Sequence, residues 1–298
     1  MAPTQTVTVD VPATSANLGP GFDSLGIALD WTARYAITAS DESVPAPEGP
    51  IEQMAASAAL SLYQQAGVAS PGGLSVSYQG DVPVGRGLGV SAAARAAGLI
   101  AANVLIGGGQ DYEALVPLAF RLEGHGDNII PAMFGGLRVV VEDDDRIVHL
   151  GIDPPDDLRL VLLIPQFSMP TEESRKRLPE RLTRNQAVHN IGRAALLVGA
   201  LTQGRYQLLG TATEDVLHQP ARSTLFPAMY ALFQAARDAG APGVYLSGGG
   251  STVAAFAREA EAEEVAGAMR EVAASHGLET ETRVTRMSTT GATLVDAG

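Results

Sequence analysis

The stretch Pro83-Val84-Gly85-Arg86-Gly87-Leu88-Gly89-Val90-Ser91-Ala92-Ala93, with an Ala-rich run behind it to Leu105, constrains this chain more than any other segment. Alanine is the strongest helix former, so the run predicts a helix over residues 91–106, stopped by Gly107-Gly108-Gly109. Upstream, glycine lets the backbone take positive φ and lets N–H groups approach a ligand closely. A loop of this kind feeding a helix N-terminus aims unpaired amides and the positive end of the helix dipole at one point, a way to hold phosphate. Ser91 adds a hydroxyl for a phosphate oxygen or Mg²⁺. No Lys-Ser or Lys-Thr pair closes the loop, so it is not a Walker A motif, and it lacks the dinucleotide G-x-G-x-x-G spacing. Taken alone, the segment reads equally well as a tight turn.

The 298 residues suffice for one large domain or two modest ones. Hydrophobic content of 46% and charged content of 18% describe an ordinary globular protein rather than a disordered one. A net charge of −13 argues against nucleic acid or an anionic membrane held by a general basic surface. Backbone amides, a few Arg and Mg²⁺ can still make a local positive field for a nucleotide. Without Cys there are no disulfides, thiolate metal sites or Cys nucleophile. Met1 to Asp10 lacks a signal-like apolar core and the apolar runs are strand-sized, so the expected location is cytoplasmic. Alternation predicts strands over 6–11, 27–39, 74–78, 137–142, 146–150, 158–164, 243–247, 253–257 and 279–285, with 137–142 and 146–150 forming a hairpin around the acidic turn Asp143-Asp144-Asp145. Helical composition marks 52–66, 184–201, 227–239 and 260–276, and Asp111 is expected to cap a helix ending near Gly124 that Pro117 kinks or delays. Residues 12–21 are expected to be a loop closing over a ligand, and residues 151–157, with Pro154-Pro155, the boundary between two lobes. The mixture implies an α+β fold.

Val11-Pro12-Ala13-Thr14-Ser15-Ala16-Asn17-Leu18-Gly19-Pro20-Gly21-Phe22-Asp23-Ser24-Leu25-Gly26 packs hydroxyls, an amide and a carboxylate between glycines, directly after a strand. Together with residues 83–93 it resembles the homoserine kinases of the GHMP kinase superfamily, whose phosphate loop P-x-x-x-G-L-G-S-S-A-A is matched at Pro83, Gly87, Leu88, Gly89, Ser91, Ala92 and Ala93. Glu123-Gly124-His125-Gly126-Asp127-Asn128 with Pro131-Ala132 and Gly135-Gly136 resembles the family's E-G-H-x-D-N…P-A…G-G block. Thr171 to Arg175 resembles its T-x-x-x-R block, Asp215 to Arg222 its D-x-x-H-x-P-x-R block, and Ser247 to Thr252 the superfamily's S-G-A-G-P-T motif. The matches fall in the expected order and cover almost the whole chain.

The resemblance implies a two-lobed fold: residues 1–155 like domain 2 of ribosomal protein S5, residues 156–298 like a ferredoxin sandwich, with ATP between them. It implies transfer of the γ-phosphoryl group to L-homoserine, with Mg²⁺ held by Ser91 and Glu123 and phosphates held by Pro83, Val84, Gly85, Arg86, Gly87, Leu88, Gly89, Val90, Ser91, Ala92 and Ala93. Homoserine is a zwitterion. Arg175 and Arg222 are the natural partners of its carboxylate and Asp23 of its ammonium group. Asn17, His125, Asp127, Asn128 and Thr171 complete the hydrogen bonding. Asp127 is a candidate base; the base-free alternative has Asn128 orienting the hydroxyl while the proton goes to the γ-phosphate or to water. Dimerisation is common in the family, so a homodimer is a further expectation. The chain departs from the pattern at Val90 in place of Ser, at Gly126, and at Gly249 and Ser251 in place of Ala and Pro. Over 50–56, where many members carry an Asn that helps hold adenine, it has Glu52 and Gln53. Two other readings stay open: a GHMP kinase acting on a mevalonate-like or sugar substrate, and a catalytically dead relative that binds a metabolite.

Overall fold

The computed structural model describes residues 4–109, 111–144 and 146–297. The chain runs β1 (Gln5–Ala16), β2 (Leu25–Ser40), α1 (Pro50–Ala66), β3 (Gly73–Gln79), α2 (Val90–Leu105), α3 (Val116–Glu123), α4 (Gly126–Phe134), β4 (Leu137–Asp143) and β5 (Arg146–Ile152). It then passes through residues 153–157 to β6 (Leu158–Pro165), α5 (Thr171–Lys176), α6 (Arg184–Thr202), α7 (Leu209–Ala212), α8 (Gln219–Arg222) and α9 (Met229–Asp238). β7 (Gly243–Leu246), β8 (Val253–Arg258), α10 (Ala262–Ser275), β9 (Thr280–Thr285) and β10 (Thr293–Ala297) complete it.

Two antiparallel sheets result. The first has the order β10-β1-β2-β4-β5, with β3 pairing on β2; the second has the order β7-β8-β6-β9. Read from β6, the second order is 2-3-1-4, that of the ferredoxin-like split βαβ. β6 shows why it sits centrally: Leu158, Leu160, Leu162 and Ile164 face the core shared with the first lobe. Val161 and Leu163 face a second core with α9 and α10. A strand covered on both sides reads as a continuous apolar run.

The second lobe does not extend to the C-terminus as expected. β10 crosses back and pairs with β1 from Val7 to Asp10, covering an edge that would otherwise present unpaired backbone groups. The segment 12–21 is also only partly a loop. β1 continues to Ala16, with a register shift between Pro12 and Thr14 where the missing Pro N–H does no harm. Ala13 to Ala16 are buried there against the rest of the molecule.

α2 is buried along most of its surface, which its alanines permit: a Cβ on Gly98 would lie 2.0 Å from the Ala55 carbonyl of α1. Pro117 lies in the first turn of α3, where its missing N–H costs nothing, so the delayed start is the observed one. Asp111 does not cap α3: it accepts from the Glu113 N–H at 3.1 Å, at the short 3₁₀ turn of residues 113–115 whose N-cap is Tyr112. α4 had no helical signature in sequence, since it opens on glycine and contains Pro131. Burial of Ile129, Ile130, Ala132 and Met133 outweighs that propensity. The acidic hairpin turn includes Asp145, which lies outside the described residues.

Candidate active site

A cleft of about 350 Å³ opens between the two sheets. Its glycine-loop end is made of backbone. Gly85, Gly87 and Gly89 have φ of 72°, 75° and 67°, values that side chains resist. A Cβ on Gly87 would lie 2.1 Å from the Ser247 carbonyl oxygen, and one on Gly89 would lie 1.8 Å from Thr14 Oγ1. The loop can approach this closely because it is sewn to both lobes. Thr14 N–H donates to the Leu88 carbonyl (3.2 Å) and Thr252 N–H to that of Arg86 (3.1 Å). Ser247 Oγ donates to the Gly87 carbonyl (2.6 Å). α2 begins at once, with Gly89 as its N-cap and, among the described residues, no side-chain cap.

Ser91, in the first turn of α2, donates to Glu123 Oε1 at 2.9 Å. Arg95, one turn later, is paired with Glu123 Oε2. Only 5% of the Glu123 side chain is exposed. Burial pushes its carboxyl above the usual range, while Arg95, His125 and the Ser91 hydrogen bond pull it back. Ile51 and Met54 of α1 and Val84 give this end an apolar wall.

The other end is made of side chains. Asp23 and Arg175 form a two-pronged ion pair, with Nη1 to Oδ2 at 2.9 Å and Nη2 to Oδ1 at 2.6 Å. Arg222 is 2% exposed. Its Nη1 donates to the Gly248 carbonyl (2.9 Å) and to His218 Nδ1 (2.8 Å). His218 must therefore carry its proton on Nε2, from which it donates to the Gly19 carbonyl at 2.7 Å. Burial lowers this imidazole to about 4: Asp215 raises it, Arg222 lowers it further, and burial dominates. Burial, with Arg175 nearby, lowers the Arg222 guanidinium to about 10, which still leaves it charged at neutral pH. Its Nε has no partner among the described residues. The Phe22 ring lies 5.2 Å from the Arg175 guanidinium and 5.5 Å from that of Arg222, close enough for cation–π attraction.

Between the two ends, Asn128 Oδ1 accepts from Thr14 Oγ1 (2.8 Å) and its amide donates to Asp127 Oδ1 (3.2 Å). The same Asp127 oxygen meets His125 Nδ1 at 2.8 Å. Burial alone would lower the His125 imidazole; the Asp127 hydrogen bond and the Asp127 and Glu123 charges outweigh it and raise it.

Two family models account for most of this architecture: GHMP kinases N terminal domain over residues 51–136 and GHMP kinases C terminal over residues 197–275. The homoserine kinase of Carboxydothermus hydrogenoformans is 38% identical over 300 residues, covering 96% of each chain. That of Moorella thermoacetica is 42% identical over 258 residues, covering 84% of this chain and 87% of its own. The chain belongs to the homoserine kinase family of the GHMP kinases. The crystal structure of homoserine kinase from Cytophaga hutchinsonii superposes with a TM-score of 0.87 at 27% identity, covering 97% of both chains.

As a GHMP kinase the chain is an ATP-dependent phosphotransferase with the two-lobed fold expected of that superfamily. Of the residues expected in its site, Asn17, Asp23, Glu123, His125, Asp127, Asn128, Arg175, Arg222, Val84, Gly85 and Gly87 to Ser91 line the cleft. Pro83, Arg86, Ala92 and Ala93 are not among its lining residues. Ala92 and Ala93 are buried in the core, and Arg86 turns away to the Gln166 carbonyl. The Thr171 side chain lies outside what is described, although its backbone opens α5.

Asn17 is less free than expected. Its amide donates to the Gly248 carbonyl (2.9 Å), and its oxygen accepts from the Asp23 N–H (3.1 Å), so it shapes the loop that carries Asp23. Sequence reasoning missed Arg95, Thr14 and Phe22, and gave no separate role to Asp215 and His218. The last two carried a signal. In D-x-x-H-x-P-x-R, Asp215 accepts from the amides of Leu217, His218 and Gln219. It thereby forms the turn that brings His218 under Arg222.

Proposed function

We propose that the chain transfers the γ-phosphoryl group of ATP to the side-chain hydroxyl of L-homoserine, the product O-phospho-L-homoserine lying on the route to threonine. The observation that carries this reading is the paired end of the cleft. A carboxylate and a guanidinium that satisfy each other are complementary to a zwitterion, which can replace both halves of the pair at once. Asp23 then takes the ammonium group, and Arg175 and Arg222 take the carboxylate, the latter bidentately through its unpartnered edge.

The amides of Gly87 to Ala92 and the start of α2 hold the phosphates, and Ile51 and Met54 flank the nucleobase. Ser91 and Glu123 are the residues for Mg²⁺. A hydroxyl and a carboxylate 2.9 Å apart suit a hard ion that takes few protein oxygens and fills its shell with phosphates and water. Among the described residues no cluster of three or more His, Cys, Asp or Glu offers a closed metal cage. When bound, the ion neutralises charge on the β- and γ-phosphates.

Asn128, held by Thr14, orients the acceptor hydroxyl. The hydroxyl oxygen attacks the γ-phosphorus, the bond to the bridging oxygen breaks, and ADP departs. Asp127 already accepts from His125 and Asn128 through one oxygen, which favours the base-free route: the proton passes to the transferred phosphoryl group, as a loose transition state permits. The test is ADP release with Mg-ATP and L-homoserine, L-serine, L-threonine or mevalonate. Turnover on L-homoserine alone supports the reading; turnover on mevalonate, which has no ammonium group, overturns it.

A further inference from the structure

The guanidiniums of Arg95, Arg175 and Arg222 line the cleft. Arg175 is engaged with Asp23, and Arg222 with His218 and Gly248, all at the amino-acid end. Arg95 stands instead at the phosphate-loop end. It follows Ser91 by one helical turn, so the two side chains share a face of α2. It also borders the adjoining hollow with Pro50, Gln53 and Met54 of α1. Among the described residues no other guanidinium or Lys lines this end: Arg86 faces the Gln166 carbonyl, and the chain's one Lys, Lys176, lies outside the cleft.

The partner of Arg95 makes this position consequential. Glu123 accepts from Ser91 through one carboxylate oxygen and from Arg95 through the other. While Arg95 stays, both carboxylate oxygens are engaged and the charge of Glu123 is already balanced. A cation at Glu123 and the Arg95 guanidinium therefore compete for the same oxygens. The Arg95 side chain is 27% exposed on a long stem, against 5% for Glu123, so it is Arg95 that can move. Gly87 to Ser91 line the same cleft, so the phosphates of a nucleotide held there would come within its reach.

We propose that Arg95 is a nucleotide ligand that exchanges partners: it holds Glu123 in the free protein and binds the ATP phosphates once a divalent cation takes that carboxylate. The inference rests on the phosphate-site reading of residues 83–91. It makes Arg95 a supplier of positive charge from the protein and the competitor that sets how much metal the site needs.

The test compares the full-length wild type with Arg95→Met, similar in reach but uncharged, and with Arg95→Lys. Calorimetry of a non-hydrolysable ATP analogue at saturating Mg²⁺ is expected to show a dissociation constant about tenfold higher for Arg95→Met, the scale of one charge-assisted hydrogen bond, with Arg95→Lys within about threefold of wild type, whereas in EDTA wild type and Arg95→Met should bind alike. Titration of Mg²⁺ into the nucleotide-free protein is expected to show the opposite sign: half-saturation at lower Mg²⁺ for Arg95→Met, which has no guanidinium to displace from Glu123. Equal binding of the ATP analogue by wild type and Arg95→Met at saturating Mg²⁺, with only a lower melting temperature, would reduce Arg95 to a structural counter-ion and overturn the proposal. A higher Mg²⁺ requirement in Arg95→Met would also overturn it. If Arg95→Met does not fold by circular dichroism, Arg95→Gln serves in both titrations. A wild type that binds no ATP would instead overturn the phosphate-site reading, and this inference with it.

Discussion

At one end of the cleft the walls are backbone, from a single run of sequence whose glycines lie against Thr14 and Ser247. At the other they are side chains of Asn17, Asp23, Asp127, Arg175 and Arg222, spread along the chain and united by folding. The two ends tolerate change differently. Backbone amides still point at a phosphate when the side chain beside them changes, so Val90 can stand where the family has Ser. No other residue replaces Gly87, because the atom a Cβ would strike is a carbonyl oxygen that cannot rotate away. At the side-chain end the backbone is free to vary, and one lost charge removes one function.

This contrast can be broken by substitution. The largest effect is expected from Gly87→Ala, which forces a Cβ against the Ser247 carbonyl at positive φ. Losing aligned donors on the transferring group should lower kcat by about a hundredfold or more with every acceptor. Steady-state kinetics alongside a thermal melt would check it; a near-normal kcat would mean that the loop is only a turn.

Arg222→Ala comes next. It should raise KM for L-homoserine by about a hundredfold while leaving ATP binding within about twofold, since a buried guanidinium on a carboxylate is worth about 3 kcal/mol. If ATP affinity fell equally, the two ends would not be separable. Asp23→Asn should weaken L-homoserine by about tenfold, through the ammonium contact alone. Because both side chains of its pair with Arg175 are about one-third exposed, its stability cost should stay below about 1 kcal/mol in a denaturant titration.

The smallest effect concerns pH. His218 is neutral in the fold, its pKa held near 4 by burial, against about 6.5 in an unfolded chain. Between these values the unfolded state binds the additional proton. The contribution of His218 to stability is therefore complete above about pH 6.5 and shrinks as the pH falls toward 4. The melting temperature of wild type should drop over that window by a few degrees more than that of His218→Gln. Parallel curves would show that His218 does not hold Arg222 in its neutral form.

Sequence alone determined the elements whose evidence is local. The Ala-rich α2, the glycine loop before it, the acidic hairpin of β4 and β5 and the buried β6 all follow from propensity, turn chemistry or apolar patterning within a short window. The family blocks likewise placed most of the residues that line the cleft. Tertiary structure alone decided the rest, because the deciding forces come from distant residues. Thr14 belongs to a strand rather than a loop because β2 and the start of α2 bury it. α4 is helical despite Pro131 because its apolar face is buried. β10 leaves its own lobe because β1 has an open edge. Asp23 and Arg175 read from sequence as two independent ligands; only the fold shows them paired with each other. Arg95 reads as one more charge on a helix until Glu123, from another helix, comes to lie against it. Propensity and pattern act over a few residues, whereas ion pairs and burial depend on distances in space.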